Sequence, residues 1–521
     1  MKNIIIKSIL FSVLAVGMSS CTEEKILDLE PINNISESAA FSTPSLIASS
    51  MNGVYNAAQI GRYNTTSENG GRGYVWGAAF VEQGDCRGED MVNTAAFFQF
   101  TYEGSYDATT ANNVYYWVDG YRLINRCNLM IEGVETAVSK GVITKAVGDD
   151  YIGQAKFLRA ITHFELLNYF ARPYNFTPGA THLGLVYREV GVNTAAEIAS
   201  EHAKTRSTVA ECYTKILADL NDAESLITSN GVTGGRVVAK ATKSAAIAFK
   251  TRVYLHKGDW ANVVTEGNKL NSLYSLTAAP NGPFVLANNL TNSESIFSIQ
   301  HSPTANPGVN GALASMYKQR LLVSISPIIW RDPKWLATDK RRQEGVMVNT
   351  SAGVKYTNKY TDNVNLTDAT PVIRYAEVLL NMAEAEARLG TNMTGAITLL
   401  NKVRDRSLAN PATETYTAAS FASQAEVVQA IIKERRIEFL AEGRRWSDIH
   451  RLQGDNLAPV VGIPAKLANA VPPAAAFVLD GNPYSGPLGV AAIPYTDRRF
   501  VWPVPQVEIN TNPNMAQNTG W

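Results

Sequence analysis

Apolar residues between Arg374 and Arg451 recur at helical spacing, with charge of both signs threaded between them. Ala376, Leu379, Leu380, Ala383 and Ala387 fall at i, i+3, i+4, i+7 and i+11, the period of one helix face. Glu377, Asn381, Glu384 and Arg388 take the other face, and the i, i+4 spacing of Glu384 and Arg388 suits an ion pair. Gly390 marks the stop. A second helix, Ala396 to Arg406, offers Leu399, Leu400 and Val403 for burial. Further on, Glu434, Arg435, Arg436, Glu438, Glu442, Arg444 and Arg445 alternate around Ile437, Phe439, Leu440 and Trp446. This pattern admits two readings: a solvated, salt-bridged helix face, or an internal network clamping the helices and the C-terminal segment.

Elsewhere the same period predicts helices at roughly 46–60, 112–133, 147–171, 206–228, 237–256 and 259–272. Ser42 or Thr43 caps the first of these, and Pro44 suits the first helical position. Between about 273 and 370 Gly, Pro, Asn, Ser and Thr become frequent, and the alternation Ser295 to Gln300 predicts a strand. From 454 to 521 the chain is again Pro- and Gly-rich, yet it holds Tyr484, Tyr495 and Trp502, too aromatic for simple disorder. The fold class expected is mainly α, with loop-rich segments and short β-strands.

The unit around 374–406 resembles a tetratricopeptide-like helical hairpin: small residues, a Gly-containing turn, then Ala opening the second helix. Several blocks together resemble the SusD/RagB family of surface nutrient-binding lipoproteins. They are the FLRA-containing helix (Gly153 to Tyr174), the helix Arg206 to Ile227, the Ala-rich hairpin Gly235 to Val264, and RYAEVLLNMAEAEARLG. LNKVRDRS, ERRIEFLAEGRRWSDIHR and the terminal PVPQVEINTNPNMAQNTGW complete the order. Asn518-Thr519 stands where Asn-Pro is usual, and His163 where an aromatic is often found. The resemblance implies a SusD-like fold and capture of a glycan for a SusC-like, TonB-dependent outer-membrane transporter. Its RagB branch implies oligopeptides or glycopeptides instead. Ligand contacts in the family come from variable loops, so no ligand residue follows from the motifs.

Lys2 and Lys7 flank the start of an apolar run, Ile9 to Val16, too short to span a bilayer. Ser19 and Ser20 then lead to Cys21, the pattern of a lipoprotein signal whose cysteine is acylated. Glu23 and Glu24 resemble the tag that sends such proteins to the outer face of the outer membrane. The organisation expected is a signal peptide at 1–20, an acylated tether and extended lead at 21–45, and a single SusD-like unit at 46–521. Within that unit lie a helical repeat scaffold (46–272), a loop-rich ligand-side insertion (273–370), signature helical hairpins (371–453) and an irregular C-terminal segment (454–521).

Lys and Arg total 47, as do Asp and Glu, a balance that argues against nucleic acid, whose phosphates need a basic surface. Cys86, Cys127 and Cys212 follow Cys21 with no metal spacing; one disulfide or three buried thiols are both open. Histidines at 163, 182, 202, 256, 301 and 450 form no zinc motif, and no G-x-S-x-G elbow or Walker loop occurs. The chain therefore reads as a binding protein rather than an enzyme, with no cofactor. Asp85, Glu89 and Asp90 are the one carboxylate cluster that a surface hydrolase would use. Asp362, Asn363, Asn365 and Asp368 offer oxygen ligands for a structural calcium.

Sugar recognition needs flat apolar faces beside amides and guanidinium groups. Residues 62–102 supply Tyr63, Tyr74, Trp76, Phe80, Phe97, Phe98, Phe100 and Tyr102 among Gly, Asn, Gln and Arg. A second such stretch, Ile328 to Arg342, brackets Pro333 with Trp330 and Trp335. The candidate ligand residues are Tyr74, Trp76, Arg87, Asp90, Phe97, Phe98, Trp330 and Trp335.

Overall fold

The computed structural model describes residues 37–61, 72–231 and 238–521. Cys21, the signal, the tether up to residue 36, and Tyr63 lie outside them. The Thr43 hydroxyl accepts from the Leu46 N–H (3.3 Å), and Pro44 opens α1 (Pro44–Ile60). A nine-residue helix, α2 (Ala78–Cys86), precedes the two longest, α3 (Ala111–Ser139) and α4 (Lys145–Phe170). Next come α5 (Val209–Leu226), α6 (Lys243–Lys257) and α7 (Trp260–Asn268). Thr144, Thr208 and Thr242 cap α4, α5 and α6, each filling backbone donors that a helix start leaves unpaired.

The helices stack in sequence. α1 packs on α3, α3 on α4, α4 on α5, α5 on α6, α6 on α7, and α7 on α8 (Tyr375–Leu389). Gly390, at φ +72°, ends α8, and α9 (Met393–Asp405) folds back on it. α10 (Gln424–Glu438) closes the array against α8, and α11 (Arg445–Arg451) lies beside α2. Each hairpin covers the apolar face of its neighbour, which is how such repeats acquire a core. One hydrophobic cluster runs from Ile47 to Met515.

Short strands β1 (Met91–Asn93), β2 (Ser295–Ile299), β3 (Val323–Ile325), β4 (Val348–Ser351), β5 (Val354–Thr357) and β6 (Thr370–Arg374) form antiparallel pairs. β1 joins β3, β2 joins β6, and β4–β5 is a hairpin turned by Ala352 and Gly353, both at positive φ. β2 falls on the alternation expected as a strand. Among the described residues no helix is long and apolar enough to cross a membrane. Cys86, Cys127 and Cys212 are buried free thiols.

The polar face expected on α8 is not polar-exposed. Glu377, Asn381 and Glu384 are all buried, because α6, α7, α9 and α10 surround the helix. Glu384 does pair with Arg388 (2.8 Å) as the spacing implied, and also receives both Nη groups of Arg451 (2.7 and 2.6 Å). Arg374 donates to Glu294, Glu438 and Glu442 at 2.7–3.0 Å. Arg341 joins Asp339, Glu434 and Glu438, while Arg252 clamps Glu377 through two bonds of 2.7 Å. The signature charges thus form an internal network, and the solvated-face reading is excluded. Burial raises the carboxylates in principle, yet the surrounding guanidinium groups hold Glu294, Glu377, Glu384 and Glu438 below the usual range.

Candidate functional site

Most of the aromatic residues singled out from sequence fold inward. Trp76 is wholly buried against Phe80 (centroids 4.7 Å apart). Tyr74 is buried too, its hydroxyl donating to Asn112 Oδ1 at 2.9 Å. Phe98 caps residues 99–103 from inside the core. Trp330 donates its indole N–H to the Phe477 carbonyl (3.0 Å), and Arg342 stacks 4.5 Å from its ring and 4.1 Å from that of buried Trp335. A ring sealed on both faces offers nothing to a sugar, so these five residues are corrected to core. The Gly-rich texture suggested exposed loops, but α3 and the C-terminal segment cover the first stretch and residues around Phe477 cover the second.

The polar candidates are structural as well. Arg87 is 1% exposed, lies 3.8 Å over Trp446, and donates to the Tyr106 hydroxyl (2.9 Å) and the Phe500 carbonyl (2.6 Å). It pins the C-terminal segment to the scaffold. Asp90 is buried and binds the guanidinium of Arg436 (Nε at 2.9 Å). Glu89 meets Arg445 at 2.7 and 3.0 Å, and these cations overcome burial to hold it below the ordinary range. Asp85 accepts from the Tyr317 hydroxyl (2.6 Å) and the Gly443 N–H (2.9 Å), while burial pushes its pKa up to about 7. Every carboxylate of the candidate hydrolase cluster is therefore committed inside the fold. Asp362 and Asp368 are likewise spent on loop closure: Asp368 accepts the Thr361 and Asp362 N–H groups, and Asp362 those of Asn365 and Thr367.

Phe97 is the exception. Its ring is half-buried, with the guanidinium groups of Arg72 and Arg320 at 4.6 Å and 5.3 Å from the centroid. Arg320 is exposed and donates to Asn310 Oδ1 (2.8 Å) and the Val309 carbonyl (3.4 Å). Phe100, three residues along, is 55% exposed. Glu82, within electrostatic reach of Arg320, is fully buried, with neither carboxylate oxygen hydrogen-bonded. Burial and the neighbouring Asp85 raise its pKa well above the carboxylate norm, opposed by Arg320.

Residues 300–310, which leave β2, connect this ring to a cleft. Gln59 of α1 fixes them, donating to the carbonyls of Gln300 (2.6 Å) and Ala305 (2.7 Å). Asn56 donates in turn to Gln59 Oε1 (3.1 Å). The cleft, about 590 Å³, is lined by Asn52, Asn56, Gln59, Lys240, Gln300 and Ser302. A second hollow of about 310 Å³ shares Asn56 and continues past Arg122 to Thr304 and Ala305. Together they mix amides, hydroxyls and cations with an apolar wall of Tyr55, Ala239 and Ile299, and the segment that lines both continues to Asn310, which Arg320 contacts beside Phe97. Arg320 and Asn310 give no sequence signal because loop residues carry no period, whereas Asn56 and Gln59 sit in the helix expected at 46–60 and only their role is hidden.

Residues 25–255 match the family model described as starch-binding associating with outer membrane, and residues 336–521 match that of the SusD family. SusD-like protein P2 of Formosa agariphila is 25% identical over 453 residues, 77% of this chain and 79% of the relative. A crystal structure of a SusD superfamily protein from Bacteroides fragilis superposes with a TM-score of 0.72 at 27% identity, covering 91% of this chain and 99% of that one. A SusD-like carbohydrate binding protein from Bacteroides vulgatus gives a TM-score of 0.71 at 21% identity over 91% and 97%, a likeness of fold.

Proposed function

Because the chain belongs to the SusD/RagB family, we propose that it is a cell-surface glycan-binding protein whose site is the Phe97 ring and the adjoining cleft. The observation that carries this reading is Phe97 itself, half-exposed beside the guanidinium groups of Arg72 and Arg320. A sugar ring has a C–H face that stacks on an aromatic and a rim of hydroxyls that need donors and acceptors. Phe97 and Phe100 offer the first, and Arg320, Asn310, Asn56 and Gln300 the second. Recognition of this kind is passive. It needs no acid–base group, in keeping with the buried pairing of Glu89 and Asp90.

Anchored through an acylated Cys21 on the outer face of the outer membrane, the protein holds an oligo- or polysaccharide and passes it to a SusC-like, TonB-dependent transporter. Multi-contact capture of modest strength suits such a hand-over, since a ligand held too tightly is not released. Gel retardation against a panel of polysaccharides, with oligopeptides tested by calorimetry, decides the cargo. Retardation by one glycan class supports this reading. Binding only to peptides would replace glycan with peptide as cargo, and no binding at all would overturn it. Recovery of a TonB-dependent barrel with the tagged, lipidated protein from outer membranes tests the partner.

A further inference from the structure

A second cavity shares no residue with the Phe97 surface or its clefts. It opens between residues 411–423, the outer side of α10 and the turn at 332–334, with a volume of about 390 Å³. Pockets of this size lie within the range that holds small ligands. Its apolar wall is Tyr416 and Phe421, two half-buried rings with centroids 5.0 Å apart and tilted by 52°. Tyr416 is fixed from behind. The Arg404 guanidinium sits 4.3 Å from its centroid, and the Asn401 side chain both donates to its carbonyl (2.7 Å) and accepts from its N–H (3.3 Å). A ring this firmly held loses little freedom when a ligand stacks on it.

The polar part of the wall is balanced in charge. Asp332 and Lys433 form an ion pair across the cavity edge. Lys334 and Glu426, of opposite sign, complete the rim. One N–H of the Gln429 amide goes to the Leu457 carbonyl (2.9 Å), which leaves its other N–H and its amide oxygen as donor and acceptor. A wall of zero net charge gives no advantage to an anion or a cation. Stacking faces combined with scattered donors and acceptors favour a neutral, ring-shaped, hydroxyl-bearing group.

From this geometry we infer that the cavity at Tyr416 and Phe421 is a second saccharide site, taking one or two neutral sugar units. The inference rests on the glycan reading above and adds to it a site on the helical-hairpin side of the molecule. Two sites on one body raise the apparent affinity for a long chain that reaches both, typically by about 10²- to 10⁴-fold when geometry permits.

Calorimetry with a short oligosaccharide of the glycan class found by the panel tests it. The wild-type protein should bind two equivalents; Tyr416→Ala and, independently, Ala430→Trp, which fills the cavity from α10, should each bind one. Phe97→Ala should keep one equivalent at unchanged affinity, at Tyr416, with the other weakened about tenfold. Unfolding temperatures of the variants confirm that each is folded. One equivalent in the wild type, weakened by Phe97→Ala, would remove the second site and leave the glycan reading intact. Two equivalents unaffected by both Tyr416→Ala and Ala430→Trp would also overturn it. Absence of saccharide binding in every form would overturn the glycan reading and this site with it.

Discussion

Phe97 and Phe98 are neighbours in the chain and meet opposite environments: Phe98 is 1% exposed, whereas Phe97 keeps part of its ring in solvent beside Arg72 and Arg320. Their truncations should therefore separate. Phe97→Ala should weaken glycan binding about tenfold, of the order that one aromatic contact supplies, with the unfolding temperature nearly unchanged. Phe98→Ala should cost about 3–5 kcal/mol of stability through loss of burial and the cavity left behind, read by chemical denaturation. Nothing local in the sequence distinguishes the two, because an irregular segment has no period to assign faces. Local sequence points Trp76, Trp330 and Trp335 outward for the same reason: Gly- and Pro-rich surroundings signal turns, and covering segments such as the one at Phe477 lie far along the chain. Arg320 gave no signal at all, since its role depends on meeting Phe97 more than two hundred positions away.

At the scale of elements, the 3.6-residue period placed α4 to α8 and the α8–α9 hairpin well, and capping threonines set several starts. What the period could not give is the fate of the charges. Glu377 faces Arg252, and Arg374 faces Glu294, across separations that no local pattern reports. Arg374→Ala should cost about 3–5 kcal/mol, because it removes the cation that buried Glu294, Glu438 and Glu442 share and leaves three carboxylates to Arg406, Arg341 and Lys359; equilibrium unfolding measures it. Arg445→Ala should lower the unfolding temperature by freeing Glu89, while glycan affinity stays nearly unchanged. Loss of binding without loss of stability would show that Arg445 belongs to the site. Close approach of α2 to the turn before α11 gives a sharper probe. A Cβ on Gly84 would lie 2.1 Å from the Gly443 carbonyl oxygen. Gly84→Ala should then cost about 1–3 kcal/mol by forcing the two elements apart.

Across the whole molecule, these buried networks set the response to acid. Glu89, Glu294, Glu377, Glu384, Glu438 and Asp448 are buried, which raises them, but their arginines hold all six below their ordinary range. Each contributes stability that is present above the unfolded carboxylate pKa of about 4 and is lost as pH falls through its lower native value. Burial also lowers His301 to about 4 and His450 to about 3, so their contribution is lost as pH falls from about 6.5 toward those values. Asp85 and Glu82 run the other way: raised in the fold, they favour the native state as pH falls from 7 toward 4. Burial lowers His163, His182 and His256 too, so five histidines oppose Asp85 and Glu82 as pH falls from about 6.5, and below about pH 4 the six carboxylates lose their contribution in turn. The unfolding temperature should drop steeply there. The central claim, that the Phe97 surface holds a glycan, is tested most directly by titrating the retarding polysaccharide into the wild-type protein and the Phe97→Ala/Arg320→Ala double variant under matched calorimetric conditions. The account predicts measurable wild-type binding, a loss of affinity of at least about tenfold in the variant, and equal unfolding temperatures. Equal affinity in the two proteins would contradict it.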